Sequence, residues 1–116
     1  MNAVYDRNGR VVAWLDNHDI YDLQGKHLAV VNQGNVHGHR GQHLAVFLKG
    51  FFRDHQGGAV AFTEGASGGP MLPMTAILPI PPIPSIPPIP AIPQIPPIPA
   101  IPLFAWGLPW NTVVGP

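Results

Sequence analysis

Short apolar runs alternate with polar turns through the first sixty residues of the chain. The runs at 11–15 and 27–31 are rich in β-branched and apolar residues and are only five residues long, which is typical of strands. Asp-x-x-Gly sequences stand between such runs. An aspartate in this position bonds the backbone two residues on, and the glycine accepts a positive φ. The pattern predicts β-hairpins with loops of three to five residues and a glycine bulge.

This hairpin pattern recurs with a period of sixteen residues. Its invariant positions are a glycine in each turn and an alanine four residues later: Gly9, Gly25, Gly41 and Gly57, with Ala13, Ala29, Ala45 and Ala61. A single hairpin is marginal in water, so the four units must pack on one another. We therefore predict an all-β domain of four pseudo-symmetric β-hairpin repeats, in which the alanines lie where the units converge and no larger side chain fits.

A second periodicity occupies the C-terminal half. Isoleucine recurs every third residue, each time followed by proline, in a set that we call the isoleucine row: Ile80, Ile83, Ile86, Ile89, Ile92, Ile95, Ile98 and Ile101. Because half of the backbone donors are missing there, an α-helix and a sheet ladder are both excluded. Polyproline II has three residues per turn, so the pattern predicts a rod about 70 Å long with the isoleucine row on one face.

Composition divides the chain at the same place. The chain has 16 prolines and no cysteine, and all six basic, six acidic and six histidine residues lie between Asp6 and Glu64. The balance of charge excludes a strongly basic nucleic-acid binder, and the lack of cysteine excludes disulfides and thiolate metal sites. The predicted organisation is a β domain at 1–64, a Gly/Pro linker at 65–79, the polyproline II rod at 80–102 and an apolar aromatic cap at 103–116.

These features together resemble a known family. Four tandem Tyr-Asp-x-x-Gly-x-x-apolar-Ala units, followed by Gly68-Gly69-Pro70 and a Pro-rich tail, resemble the bacterial four-fold β-flower family. The ending that contains Trp106 and Trp110 is similar to the paired-tryptophan ending of that group. In the third repeat, His37-Gly38 replaces Tyr-Asp, which leaves the geometry of that turn open, and the fourth repeat has Arg53-Asp54. The resemblance covers essentially the whole chain and implies a shape but no chemistry.

The histidine cluster at 37–43 is the best candidate for chemistry. His39 and His43 straddle a turn, and a pair of imidazoles suits zinc, copper or nickel. Both residues also stand at turn and strand positions that vary between repeats, which explains them without a ligand. The turn aspartates, Asp6, Asp22 and Asp54, are explained by capping, and no catalytic motif is present. We therefore assign no catalytic, metal or cofactor site and expect a non-enzymatic protein.

The isoleucine row decides the expected function, because an apolar stripe of this length is either an interface or an aggregation liability. It must pack on the β domain, on a partner or on other copies. We expect a structural protein that assembles with itself into an oligomer or filament through the isoleucine row, with Trp106 and Trp110 in the same interface. The alternative is a binding module whose β head recognises a partner or ligand, with the rod as a spacer.

The aromatic C-terminus also has two interpretations. Trp106 and Trp110 either fold back as a cap over the rod or the β domain, or they anchor the chain in a partner's pocket or at a membrane interface. The sequence predicts no secretory signal peptide, no transmembrane helix and no nucleic-acid partner, and it assigns no localisation.

Overall fold

The computed structural model describes residues 1–114, which form an eight-stranded antiparallel barrel and a long C-terminal segment. Each strand pairs with its neighbours in sequence, and the barrel closes between the last strand and the first. The strands are β1 Asn2–Tyr5, β2 Val11–Asp16, β3 Asp19–Tyr21, β4 His27–Asn32, β5 Asn35–His37, β6 His43–Leu48, β7 Phe51–Arg53 and β8 Ala59–Phe62. The prediction of four β-hairpin repeats is confirmed.

Each repeat folds around its Asp-x-x-Gly turn. In the first, Asp6 Oδ1 accepts hydrogen bonds from the amides of Asn8 (2.9 Å) and Arg10 (3.0 Å). The turn glycine, Gly9, has a φ of 79°, which strains a residue with a side chain. The Gly9 amide donates to the Asp6 carbonyl oxygen (3.0 Å) and the Asp6 amide donates to the Arg10 carbonyl oxygen (2.9 Å), so Gly9 is the extra residue of the predicted glycine bulge. A second irregularity lies in the strands beside each turn, as a register shift between Val4 and Tyr5 in this repeat.

The third turn keeps this geometry although it lacks the aspartate. Its backbone bonds between residues 38, 41 and 42 match those of the other turns. Gln42 Oε1 accepts the amide hydrogen of Arg40 at 3.0 Å, which replaces one of the missing carboxylate bonds. A Cβ on Gly38 would meet the Gln42 side chain, so the glutamine occupies the space that an aspartate would need.

Four large and four small side chains fill the middle of the barrel. Each repeat contributes one directly opposed pair across its hairpin: Val4 with Ala13, Ile20 with Ala29, Val36 with Ala45, and Phe52 with Ala61. All eight side chains are fully buried. The interior of an eight-stranded barrel is only wide enough for its own side chains, so the invariant alanines leave room for their larger partners.

A short helix lies against the barrel core. The helix α1, Trp110–Val113, places Trp110 edge-on against Phe52, with ring centroids 5.4 Å apart. Trp110 and Val114 are each 5% exposed and belong to the same core cluster as the barrel interior. The cap interpretation therefore holds for Trp110. Among residues 1–114 no helix has the length and apolarity needed to cross a bilayer.

The C-terminal segment does not project from the barrel as a straight rod. The molecule is disc-shaped, with extents of 36 × 36 × 21 Å, so a straight rod of about 70 Å is wrong. The segment instead runs past the turns of repeats one to four in order, as its hydrogen bonds show. We call residues 74–103 the strap. The segment predicted as a free linker already contains the first of its attachments, at Ala76.

Candidate functional site

The strap is tied to the barrel at four equivalent points. At each, a strap amide donates to the carbonyl oxygen of a turn glycine over 2.6–3.0 Å: Ala76 to Gly9, Ser85 to Gly25, Gln94 to Gly41, and Leu103 to Gly57. The donors are nine residues apart along the strap and the acceptors sixteen apart along the barrel. One nine-residue unit of the strap therefore matches one hairpin.

Close approach of the strap explains why the turn residue is glycine in every repeat. A Cβ on any of the four turn glycines would overlap a strap carbonyl oxygen, at Met74, Ile83, Ile92 or Ile101. Positive φ and this contact act together, since both exclude a side chain. Sequence reasoning found the first requirement and missed the second.

Two polar strap residues add side-chain bonds at these points. Ser85 Oγ accepts the amide hydrogen of His27 at 3.1 Å, and Gln94 Oε1 accepts that of His43 at 2.8 Å. Within residues 80–102 these are the only polar side chains, and they stand nine residues apart. That spacing was the available signal for the strap, but the stronger three-residue period concealed it.

Arg53 fastens the two ends of the C-terminal segment. Its guanidinium is buried, and it donates to the carbonyl oxygens of Gly57 and Leu103 (2.8 Å each) and of Gly68 (2.9 Å). Gly68 precedes the strap and Leu103 is its last attachment, so one side chain joins both ends. Burial lowers the pKa of Arg53 from its ordinary value, and the neighbouring Asp54 carboxylate opposes that shift.

The isoleucine row lies on the outside of the strap. Its eight side chains are 82–96% exposed, so the strap is attached through its backbone and not through its isoleucines. Half-buried strap residues occur instead in the third place of the triplet, at Pro82, Ala91 and Ala100. Of the three surfaces considered for the row, the protein's own β domain is excluded.

The two tryptophans predicted in the same interface lie elsewhere. Trp110 is in the core, so its assignment to an exposed interface is wrong, because no other molecule reaches it there. Trp106 is half-buried against Phe51 and Phe62, with ring centroids 6.3 and 6.1 Å away. It also forms a parallel bridge with Ala59. Both tryptophans thus pack on the chain's own barrel.

Two grooves separate the strap from the barrel wall. The larger has a volume of about 610 Å³ and lies between strands β3–β5 and strap residues 88–96. The smaller, about 340 Å³, lies beside His43 and Val46 under strap residues 94–100. We call these the larger and the smaller groove. They lie at equivalent places in successive repeats.

A hydrogen-bonded chain of three side chains lines the larger groove. His27 Nε2 is 2.8 Å from Asp19 Oδ1, and His27 Nδ1 is 2.9 Å from His39 Nε2. His27 is buried, whereas His39 is exposed. A carboxylate only accepts, so His27 Nε2 donates to Asp19. When both rings are neutral, His27 Nδ1 accepts from His39, and the remaining nitrogen of His39, Nδ1, is an acceptor.

The same chain recurs one repeat further on, with His43 and His55 beside the smaller groove. His43 Nε2 lies 3.0 Å from Asn35 Oδ1, and His43 Nδ1 lies 2.9 Å from His55 Nε2. An amide here takes the place of the carboxylate. Burial lowers the pKa of the His43 imidazole, and the nearby His55 and His37 lower it further.

A family comparison adds to this geometry. The family model described as "4-fold beta flower protein" matches residues 2–114. The chain belongs to this family. The suspected resemblance is thereby confirmed, and the closed barrel of four hairpins agrees with the family's description. No curated protein and no solved structure matches the chain.

In this β-flower barrel, His39 and His43 do not meet. His39 pairs with His27 and His43 pairs with His55, so the expected approach across the turn is wrong. The barrel brings together residues twelve apart in neighbouring repeats, which sequence spacing alone did not indicate. Among residues 1–114, no group of three or more His, Cys, Asp or Glu side chains is arranged to hold a metal ion.

The turn aspartates of the β-flower barrel have structural partners. Asp22 Oδ1 accepts from the amides of Gln24 and Lys26, as Asp6 does in its own turn. Asp54 has a second role, because its Oδ2 accepts from the amide of Leu108 at 2.9 Å and so holds the returning chain. Capping thus accounts for these carboxylates.

Proposed function

We propose that this protein assembles with copies of itself through the isoleucine row. The observation that carries the proposal is the exposure of all eight side chains, at 82% or more, on a segment that is otherwise fastened at four points. An ordered apolar surface of this length requires a partner in water. The repeated row offers the same chemistry on successive sides of the molecule.

The dimensions of the strap support a polyproline II conformation for it. Nine residues pass each of the four hairpins, so a full turn needs thirty-six residues. At about 3.1 Å per residue this is about 112 Å, the circumference of a circle about 36 Å across. The disc is 36 Å wide. With three residues per turn, the row then stays on one side of the strap throughout.

Energetics favour an open assembly over a closed dimer. Burying one isoleucine contributes about 1.5–3 kcal/mol. The row curves around the disc, so a single neighbour buries only a few of its members. That contribution is comparable to the roughly 4–15 kcal/mol cost of association. Each contact is therefore weak, and neighbours on several sides together produce a lattice or filament whose size grows with concentration.

Charge and hydrogen bonding favour other copies over lipid. From residue 65 onwards the chain carries no ionisable side chain, so two such segments meet without repulsion. Polyproline II carbonyl groups lack internal partners and need donors, which a bilayer interior does not offer. A second copy covers the isoleucines while leaving much of that backbone in water.

Light scattering coupled to size exclusion, over a range of concentrations, tests the proposal. We expect the average mass to rise with concentration for the natural chain and to stay at the monomer value for Ile86→Asp/Ile92→Asp. Both side chains are more than 90% exposed, so the substitutions leave the fold intact. The matched control is Asn8→Asp/Gln24→Asp, which adds the same charge at exposed turn positions and must assemble like the natural chain.

Two outcomes would overturn the proposal. One is a natural chain that stays monomeric at millimolar concentration. The other is binding to phosphatidylcholine vesicles, lost in Ile86→Asp/Ile92→Asp, by a protein that does not associate with itself. The second result would assign the isoleucine row to a lipid surface instead.

A further inference from the structure

The grooves occur where one repeat position changes size. Five residues after each turn glycine stand Trp14, Val30, Val46 and Phe62. Val30 lines the larger groove and Val46 the smaller one. Trp14 and Phe62 are instead fully buried in an aromatic cluster on the barrel wall. Aromatic rings therefore occupy this position in repeats one and four, and repeats two and three leave a space there.

The chemistry of the larger groove has two sides. Its strap side is apolar, with Pro88, Pro90 and Ala91, and Val30 faces the same space from the barrel. At the edge lie Asp19 and His39, the two ends of the histidine chain. When both rings are neutral, His39 Nδ1 carries a lone pair, and Asp19 has a second carboxylate oxygen beyond the one bonded to His27. Both groups accept hydrogen bonds, so a complementary ligand donates one.

We propose that the larger groove binds a planar aromatic molecule about the size of indole that carries a hydrogen-bond donor. The molecule itself indicates the shape, because an indole ring, that of Trp14, fills the equivalent repeat position. The volume of about 610 Å³ lies within the usual range of small-molecule sites, which combine an apolar lining with a few placed polar groups.

The smaller groove binds the same class of molecule more weakly. Its volume is about 340 Å³, and Asn35, which replaces Asp19 in the second histidine chain, lines the larger groove and not the smaller one. The ligand therefore distinguishes the two grooves by the space that each offers.

Titration of the protein with indole, followed by calorimetry and by ligand-observed NMR, tests the proposal. We expect saturable binding with a Kd on the order of 1 mM or tighter. The same ring without its donor, 1-methylindole, binds about tenfold more weakly, which is the loss of one hydrogen bond. Val30→Trp places the protein's own indole in the groove and abolishes binding. Leu48→Trp adds the same ring at an exposed site outside both grooves and leaves binding unchanged.

A second variant keeps the test decisive if Val30→Trp does not fold. Because His39 is exposed, His39→Ala retains the fold, and it removes the proposed acceptor. It weakens indole several-fold and leaves 1-methylindole unaffected, so the two ligands become similar. Absence of saturable indole binding to the natural chain overturns the proposal. The proposal is also overturned if a folded Val30→Trp variant binds indole as well as the natural chain does. It is overturned too if His39→Ala weakens indole and 1-methylindole equally.

The binding proposal can be tested separately from self-assembly. Residues 86 and 92 line neither groove, so the titration is repeated in the Ile86→Asp/Ile92→Asp background. Indole binding there matches that of the natural chain. If the Ile86→Asp/Ile92→Asp variant does not bind indole, the site is not formed within one copy of the chain, and the proposal is overturned.

Discussion

The outer wall of the barrel is built in two ways around one four-fold frame. In repeats one and four it is a sealed wall of aromatic and small side chains: Ala3, Tyr5, Trp14, Tyr21 at its border, Phe51, Ala59 and Phe62, with Trp106 packed against it. In repeats two and three it is an open wall, with two grooves and two histidine chains. The same strap crosses both.

The difference shows which positions of the repeat are free to vary. Inside the barrel, the four alanines and their four larger partners are all fully buried and shared by neighbouring units. A change there disturbs packing in every repeat, since interiors are close-packed. On the outer wall, grooves separate the strap from the barrel between some of its attachments. The side chains beneath the strap can therefore differ between repeats, aromatic in some and imidazole in others, without disturbing the packing of the barrel interior. Residues that vary between repeats, and with them any specific chemistry, are therefore expected on the outer wall.

The largest expected effect comes from opening the sealed wall. Trp14→Val removes an indole that is 2% exposed and leaves a cavity, and we expect the free energy of unfolding to fall by about 3 kcal/mol. Urea denaturation measures this. The matched change in the open wall, Val30→Ala, borders an existing groove and costs about 1 kcal/mol or less, because it creates little new cavity. Equal losses for the two variants would contradict a difference in packing between the walls.

A smaller effect is expected from loosening the strap between the two grooves. Gly41→Ala introduces a Cβ at positive φ and against the Ile92 carbonyl oxygen. Gly65→Ala is the matched control, because Gly65 has the same φ of 81° but nothing within 4 Å of its Cβ position. We expect Gly65→Ala to cost about 1 kcal/mol, the strain alone, and Gly41→Ala clearly more.

Limited proteolysis distinguishes strap release from general destabilisation. Gly41→Ala frees strap residues near 92, so cleavage in the strap precedes unfolding of the barrel. If both alanine variants lose the same stability and the strap resists cleavage in each, then contact with the strap does not determine the choice of glycine.

The fold was predictable from sequence because its constraints are local. Asp6 and Gly9 specify a turn within four residues, and the sixteen-residue period repeats that information four times. Alanine occupies the position of Ala13 in all four repeats. Only a steric limit explains this, so the alanines indicated where the four units converge. Strands that are neighbours in sequence pair with one another, so closing the barrel requires only one further strand pairing, between β8 and β1.

The site was less predictable because it depends on contacts between the strap and the barrel, and between one hairpin repeat and the next. The triplet period predicts a local conformation for the strap but not its course around the barrel, and any residue in the third place of the triplet satisfies it. Only Ser85 and Gln94 mark the nine-residue spacing. The pairing of His27 with His39 likewise requires two repeats to be placed side by side in a closed barrel. Neither relation exists within a single repeat.

The smallest expected effect concerns the group by which the two histidine chains differ, which is the Asp19 carboxylate in the first and the Asn35 amide in the second. Burial, His55 and His37 lower the pKa of His43, so the unfolded chain binds more protons than the folded one as pH falls. Stability is therefore fully present above the unfolded value of about 6.5 and decreases as pH falls through it. Asn35→Asp supplies a carboxylate like that of Asp19 in the first histidine chain, and this carboxylate pairs with the protonated His43 ring. We expect this variant to lose about 1 kcal/mol less than the natural chain between pH 7.5 and 5.

Urea denaturation at the two pH values, with Asn32→Asp as control, measures this difference. Asn32→Asp adds a carboxylate to the same wall at an exposed position that makes no hydrogen bond to His43. Its pH dependence should match that of the natural chain. If Asn35→Asp and Asn32→Asp respond alike, a general change of charge explains the effect and the contact with His43 does not. A reduced loss in Asn35→Asp alone shows that an amide at this position, in contact with His43 Nε2, disfavours the charged form of the His43 ring.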